Sequence, residues 1–135
     1  SDDDLDDVLV QGDFVVTTVP ETPKTQRLFS LKKFKLMKPS AYFINIGRGA
    51  TVNIDELYIA LKSKEIAGAA LDVFEYEPLP KNHPLWKQKG MIITPHIAYD
   101  GPYIDQRRKD LLFENCVNFS KNENLNNIVD KAQWF

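Results

Sequence analysis

A chain of 135 residues with 43% hydrophobic content can build one modest domain with a core. A net charge of −2 gives no case for nucleic-acid binding, and the single cysteine excludes an internal disulfide. No stretch approaches a membrane span and no signal peptide is visible, so a reducing, cytoplasmic setting is expected.

The opening Ser1-Asp2-Asp3-Asp4 has no preceding methionine and reads as a cut boundary rather than a targeting signal. A short helix is expected from Leu5 to Val10, with Asp6 and Asp7 at the positive end of its dipole and Gly12 closing it. Phe14 to Thr18 reads as the first strand, stopped by Pro20. Thr22 caps a turn that starts at Pro23, and Ser30 caps a short helix from Leu31 to Met37. The next strand is Tyr42 to Ile46.

The clearest helix follows. Asn53 caps it, Glu56 is its capping-box partner, and Ile54, Leu57, Tyr58 and Leu61 form one buried stripe. Gly68 to Val73, small and apolar, suits a central strand, and Met91 to Thr94 is the fourth. A last helix runs from about residues 102–105 to Ser120, with Ile104, Leu111, Leu112, Cys116 and Phe119 on one face. Cys116 reads there as a buried thiol. The basic string Arg107-Arg108-Lys109 reads as a solvated face of that helix, and the tail after Lys121 as irregular. Strand-like runs alternating with helical patterns predict an α/β fold built on a parallel sheet.

Chemistry gathers at three strand ends. Phe43-Ile44-Asn45-Ile46-Gly47-Arg48-Gly49 is an apolar run that ends in a turn holding one arginine. Such strand ends are where open α/β sheets bind ligands, and a guanidinium is a rigid fork for a carboxylate. Leu71-Asp72-Val73-Phe74-Glu75-Tyr76-Glu77-Pro78 ends in carboxylates, and Ile93-Thr94-Pro95-His96 ends in a histidine. An arginine for an anion, with an acid beside a histidine, makes a catalytic set. Glu75 and Glu77 compete for the acid's place. His83, between Asn82 and Pro84, reads as structural, as do Trp86 and Trp134. Two distant histidines and one cysteine predict no metal site.

Those segments resemble the signatures of the D-isomer-specific 2-hydroxyacid dehydrogenases. Val19-Pro20-Glu21-Thr22-Pro23-Lys24-Thr25 and the tail Asn127-Ile128-Val129-Asp130-Lys131 fit the same family. The tail and Glu77-Pro78-Leu79-Pro80 lean towards its glyoxylate/hydroxypyruvate reductase-like branch. The resemblance implies the second half of a doubly wound, Rossmann-type dinucleotide-binding domain at residues 1–101. Residues 102–135 would be a C-terminal helix and return segment towards a substrate domain. The phosphate-binding fingerprint G-x-G-x-x-G does not occur in the chain. Gly47-Arg48-Gly49-Ala50-Thr51-Val52 lacks its third glycine.

The family pattern further implies NAD or NADP as cofactor and a small 2-oxo or 2-hydroxy acid as substrate. Arg48 would bind the substrate, and Glu77 and His96 would form the acid/base pair. The acid before the proline is the one that matches, which selects Glu77 over Glu75. Beside the imidazole it would favour the charged imidazolium. Asp72 would lie by the nicotinamide. Val19, Pro20, Thr25, Ile46, Gly47 and Ala98 would line the same crevice with Arg48 and His96. Tyr99-Asp100-Gly101-Pro102 departs from the small residues expected after the histidine. A chain of this extent is expected to be inactive alone and to form a homodimer, through its exposed first strand or its last helix, or else to aggregate. Two other classes stand beside the enzyme: a nucleotide-sensing corepressor, which this family also contains, and an inactive remnant.

Overall fold

The computed structural model describes residues 2–132; the expected packing of Trp134 lies outside them, as does Ser1. The described residues form two units, one ending at Ala98 and one starting at Tyr99.

The first unit is a four-stranded parallel sheet with helices. In chain order it holds α1 (Asp2–Gln11), β1 (Phe14–Thr17), α2 (Leu31–Phe34), β2 (Tyr42–Asn45), α3 (Ile54–Lys62), β3 (Gly68–Leu71) and β4 (Met91–Ile93). Single 3₁₀ turns occupy Gly49–Thr51 and Pro84–Lys87. The strands lie in sequence order, β1-β2-β3-β4, so β1 and β4 are edges. Each parallel step needs a crossover, which the intervening segments provide.

The register sets the two faces. Val15, Phe43, Ala69 and Met91 stand in one row, and Phe14, Tyr42 and Gly68 in the next. The Phe43 row faces the core. Phe43 is fully buried, with the rings of Phe29 and Phe34 centred 4.8 and 5.2 Å away. Leu9 of α1, Phe34 of α2 and Leu57 of α3 join the same cluster. The opposite face stays open: Phe14 is 69% exposed, Val16 53% and Ile92 64%.

Local signals explain the element ends. Asn53 caps α3 by accepting from the Glu56 N–H at 3.3 Å. The return half of the expected capping box is not made. The Asn53 N–H already bonds Phe29 O at 3.1 Å, and the Glu56 carboxylate accepts from the Leu31 N–H instead. That bond also supplies the α2 start, where Ser30 makes no side-chain cap. The stripe on α3 is buried at Ile54, Leu57 and Leu61, with Tyr58 half-buried and Ala60 added.

Helix α2 is shorter than expected. Beyond Phe34 the chain tightens into 3₁₀-like bonds, Leu36 N–H to Lys33 O and Met37 N–H to Phe34 O, both 3.1 Å. Each strand also stops one or two residues before its predicted end. Backbone bonds still follow, Ile46 N–H to Thr17 O and Asp72 N–H to Asn45 O, but the chain then turns into its loop.

The second unit holds α4 (Ile104–Ser120), with no buried residue. Cys116 is exposed, which corrects the expectation of a buried thiol. The helix spans the expected residues, but Leu112 and Phe119 of the expected face are each at least 66% exposed, and Cys116 is exposed with them. The tail carries no helix or strand within the described residues, yet it is tied back. Asn126 exchanges two hydrogen bonds with the Asn115 side chain, and Asn118 Nδ2 donates to Asn124 O at 3.0 Å. No helix among the described residues is long and apolar enough to cross a membrane.

Gly49 admits no side chain: a Cβ there would lie 1.9 Å from the carbonyl carbon of Phe74. Gly49→Ala is expected to destabilise the protein by about 1–3 kcal/mol through overpacking, read as a lower urea midpoint at unchanged slope.

Candidate active site

The arginine turn is built by Asn45. Fully buried at the end of β2, it accepts from the Gly47 N–H at 3.0 Å and donates to Arg48 O at 3.1 Å. The Thr51 hydroxyl donates to the same Arg48 carbonyl at 2.7 Å. Gly47 sits so close to the chain just after β1 that a Cβ would meet Val19 O at 2.9 Å. The backbone is therefore fixed while the Arg48 side chain stands exposed. Its Nη1 donates to Gly47 O at 2.8 Å, and among the described residues it has no carboxylate partner. A guanidinium held this way keeps most of its donors for an incoming anion.

The two candidate acids take separate partners. Glu77 Oε2 lies 2.8 Å from His96 Nδ1, while its Oε1 accepts from the Phe74 N–H at 2.9 Å. Glu75 instead binds Arg27, at 2.9 Å from Nη2 and 3.2 Å from Nε. Arg27 has φ +50°, and its N–H donates to Ala50 O at 2.8 Å. So Glu75 ties the loop after β1 to the loop after β3, and Glu77 alone meets the histidine.

His96 itself sits in the left-handed region, with φ +56°. That conformation is uncommon for a residue with a Cβ. Asp72 surrounds it. Buried to 4% exposure, Asp72 accepts from the Thr94 hydroxyl and the Ile97 N–H on Oδ1 and from the Ala98 N–H on Oδ2. Its carbonyl accepts from the His96 N–H at 2.9 Å.

Glu77 and His96 open onto a cavity of about 540 Å³, which Asp72, Phe74, Leu79 and Trp86 also line. Trp86 is half exposed and its indole N–H donates to Pro80 O at 2.9 Å. Arg48 is not part of this lining. The structure therefore brings Asp72, Glu77 and His96 together, and leaves Arg48 on the neighbouring turn, joined to them through the contact of Gly49 with Phe74.

The remaining candidates divide. The Thr25 hydroxyl donates to Pro20 O at 2.7 Å and pairs with the Thr22 hydroxyl at 3.0 Å, so it organises its own turn. Ile46 is 44% exposed beside Gly47, and Pro20 and Ala98 are exposed. His83 caps the 3₁₀ turn, Nδ1 accepting from the Leu85 N–H at 3.3 Å, with Nε2 3.5 Å from Asp55. Asn45, Thr94 and the Arg27–Glu75 pair were not singled out from the sequence. A polar residue at the last position of an apolar strand was the available signal for Asn45.

Both site carboxyls are shifted down. Burial alone would raise Asp72, but the bonds from Thr94, Ala98 and Ile97 outweigh it and hold it below the ordinary carboxyl range. Burial likewise pushes Glu77 up, and the bonds from His96 and Phe74 prevail to lower it.

Residues 1–98 match the family profile described as "D-isomer specific 2-hydroxyacid dehydrogenase, NAD binding domain". The chain belongs to this dehydrogenase family. Among relatives of these dehydrogenases, it is 43% identical over 128 residues to a glyoxylate reductase of Thermofilum pendens, covering 95% of this chain and 38% of that protein. It is 50% identical over 92 residues to the glyoxylate reductase/hydroxypyruvate reductase of Homo sapiens, covering 68% and 28%. Among solved dehydrogenase structures, one from Xanthobacter autotrophicus Py2, in complex with NADPH and MES, superposes with a TM-score of 0.88 at 35% identity. It matches 95% of this chain and 52% of that one. An NADPH-dependent glyoxylate/hydroxypyruvate reductase from Sinorhizobium meliloti, in complex with NADP and sulfate, gives 0.89 at 29% identity, with 97% and 42% covered. The chain thus spans under half the length of the curated relatives it matches, 38%, 42% and 41% of three of them.

The lowered carboxyls fix a sign for pH. Each binds its proton more weakly folded than unfolded, so its contribution is present above the unfolded value of about 4 and is lost as pH falls through the lower folded value. Urea melts between pH 7 and 3 are expected to show stability falling below about pH 4, with a shallower fall in Glu77→Gln.

Proposed function

We propose that the whole protein is an NAD(P)-dependent oxidoreductase that interconverts a 2-oxo acid and a D-2-hydroxy acid. The observation that carries this is the 2.8 Å contact between Glu77 Oε2 and His96 Nδ1 at the carboxyl end of a parallel sheet. Carboxylate-bound at Nδ1, the imidazole turns Nε2 to the reacting side. From there it gives a proton to the ketone oxygen during reduction and recovers it in reverse. Glu77 holds the ring and balances its charge. Arg48, with no carboxylate partner among the described residues, binds the substrate carboxylate as a two-pronged donor.

The residues present fit a nicotinamide nucleotide. Gly47 packs directly against the Thr18–Val19 backbone, which brings the loop after β1 beside the arginine turn, and half-exposed Ile46 offers an apolar surface for a ring. Asp72 Oδ2 accepts one bond from the protein and retains a lone pair for an amide donor. When bound, the nicotinamide supplies the hydride. Val19, Pro20, Thr25, Gly47 and Ala98 complete the proposed crevice, with residues 1–101 as the nucleotide-binding part and 102–135 as the return segment. The reductase names of the relatives favour this reading over a nucleotide-sensing corepressor or an inactive remnant. We place the protein in the cytoplasm as a homodimer, the exposed apolar residues of α4 being the surface that needs a partner.

Two measurements test this. Fluorescence titration of the whole protein with NADH and NADPH is expected to saturate with one of them, while this 135-residue stretch alone binds neither. In the whole protein, His96→Asn is expected to lower kcat about 10²–10⁴-fold at little change in nucleotide affinity. A variant that turns over normally would remove His96 from the mechanism.

A further inference from the structure

We propose that Asp72, whatever it offers a nucleotide, is the positioning residue that holds His96 against Glu77. This deepens the function proposed above and rests on His96 being its acid/base group. Four hydrogen bonds join residue 72 to the segment 94–98: Thr94 hydroxyl, Ile97 N–H and Ala98 N–H to its carboxylate, and His96 N–H to its carbonyl. They bracket the histidine on both sides, and the residue between them is the one with φ +56°. A left-handed non-glycine residue costs free energy and persists only where its surroundings over-determine it. Here the surroundings are the carboxylate and the carbonyl of one residue. Two backbone N–H groups in succession converge on the carboxylate, just after the curl of the chain at His96. The curl sets the direction in which the imidazole leaves the backbone, and so its meeting with Glu77 Oε2 at 2.8 Å.

Charge matters as well as shape. A carboxylate accepts from all three donors at once. An asparagine in its place accepts on one atom only and presents an N–H to the donor on the other side. The 4% exposure of Asp72 leaves water little access to fill the gap.

His83, the other histidine of this stretch, serves as an internal control. His83 caps a separate turn and makes no hydrogen bond to Asp72. The experiment is the long-range ¹H–¹⁵N spectrum of the imidazoles in native protein, Asp72→Asn, Thr94→Val and Glu77→Gln. Glu77→Gln supplies the Nδ1 position of an imidazole without its carboxylate. In Asp72→Asn the His96 Nδ1 resonance is expected to move most of the way to that position, with His83 unmoved. Thr94→Val, which removes one donor and keeps the carboxylate, is expected to move it part of the way. His96 resonances at their native positions in a folded Asp72→Asn protein would overturn the proposal. If Asp72→Asn does not fold, Thr94→Val decides, and an unmoved His96 there overturns it too. The spectra need no turnover, so this result stands apart from that of the His96→Asn assay, whose failure would strike the catalytic reading alone.

Discussion

Everything at the carboxyl end of the sheet depends on one close approach, that of the Gly49 backbone to the Phe74–Glu75 peptide. The turn carrying Arg48 and the loop carrying Glu77 follow different strands, β2 and β3. Where they touch, there is no room for even a methyl group. Close-packed contacts of this kind transmit position, because neither side can shift without a void or a clash. Arg27 and Glu75 add an ion pair across the same seam from the loop after β1. The Arg27 end of that pair is exposed and screened, and so it contributes direction more than stability.

The site divides labour between atoms of single side chains. Glu77 gives one oxygen to the backbone of its own loop and the other to the imidazole, so the carboxylate cannot turn towards His96 without already being anchored. Asn45 does the same with its two ends on either side of Arg48. In both cases one side chain bonds its own loop with one end and orients a site residue with the other.

Much of this was legible in the sequence. Apolar runs ending in Arg48, Glu77 and His96 marked the strand ends, because a parallel sheet buries its strands and delivers its chemistry where they stop. The spacing of Ile54, Leu57 and Leu61 fixed the buried side of α3. What could not be read were contacts set by the third dimension. The capping box failed because Asn53 N–H was already taken by Phe29, which stands 24 positions earlier and meets it through a parallel bridge at Val52. Glu75 found Arg27 rather than His96 for a similar reason, a long-range pairing that local pattern does not encode. Cys116 was misread because periodicity reveals which residues share a face but not whether anything covers it.

The uncovered side of the sheet has a consequence for how the chain responds to heat. Phe14, Val16 and Ile92 contribute apolar area that is wet before unfolding and wet after it. The heat capacity of unfolding follows the apolar area newly exposed, so these side chains add almost nothing to it. A one-faced sheet therefore has a flatter curve of stability against temperature than a sheet of the same strands covered on both sides. Any partner that settles on that face would steepen the curve as well as raise it, leaving a calorimetric mark that contact with the rim of the sheet would not produce.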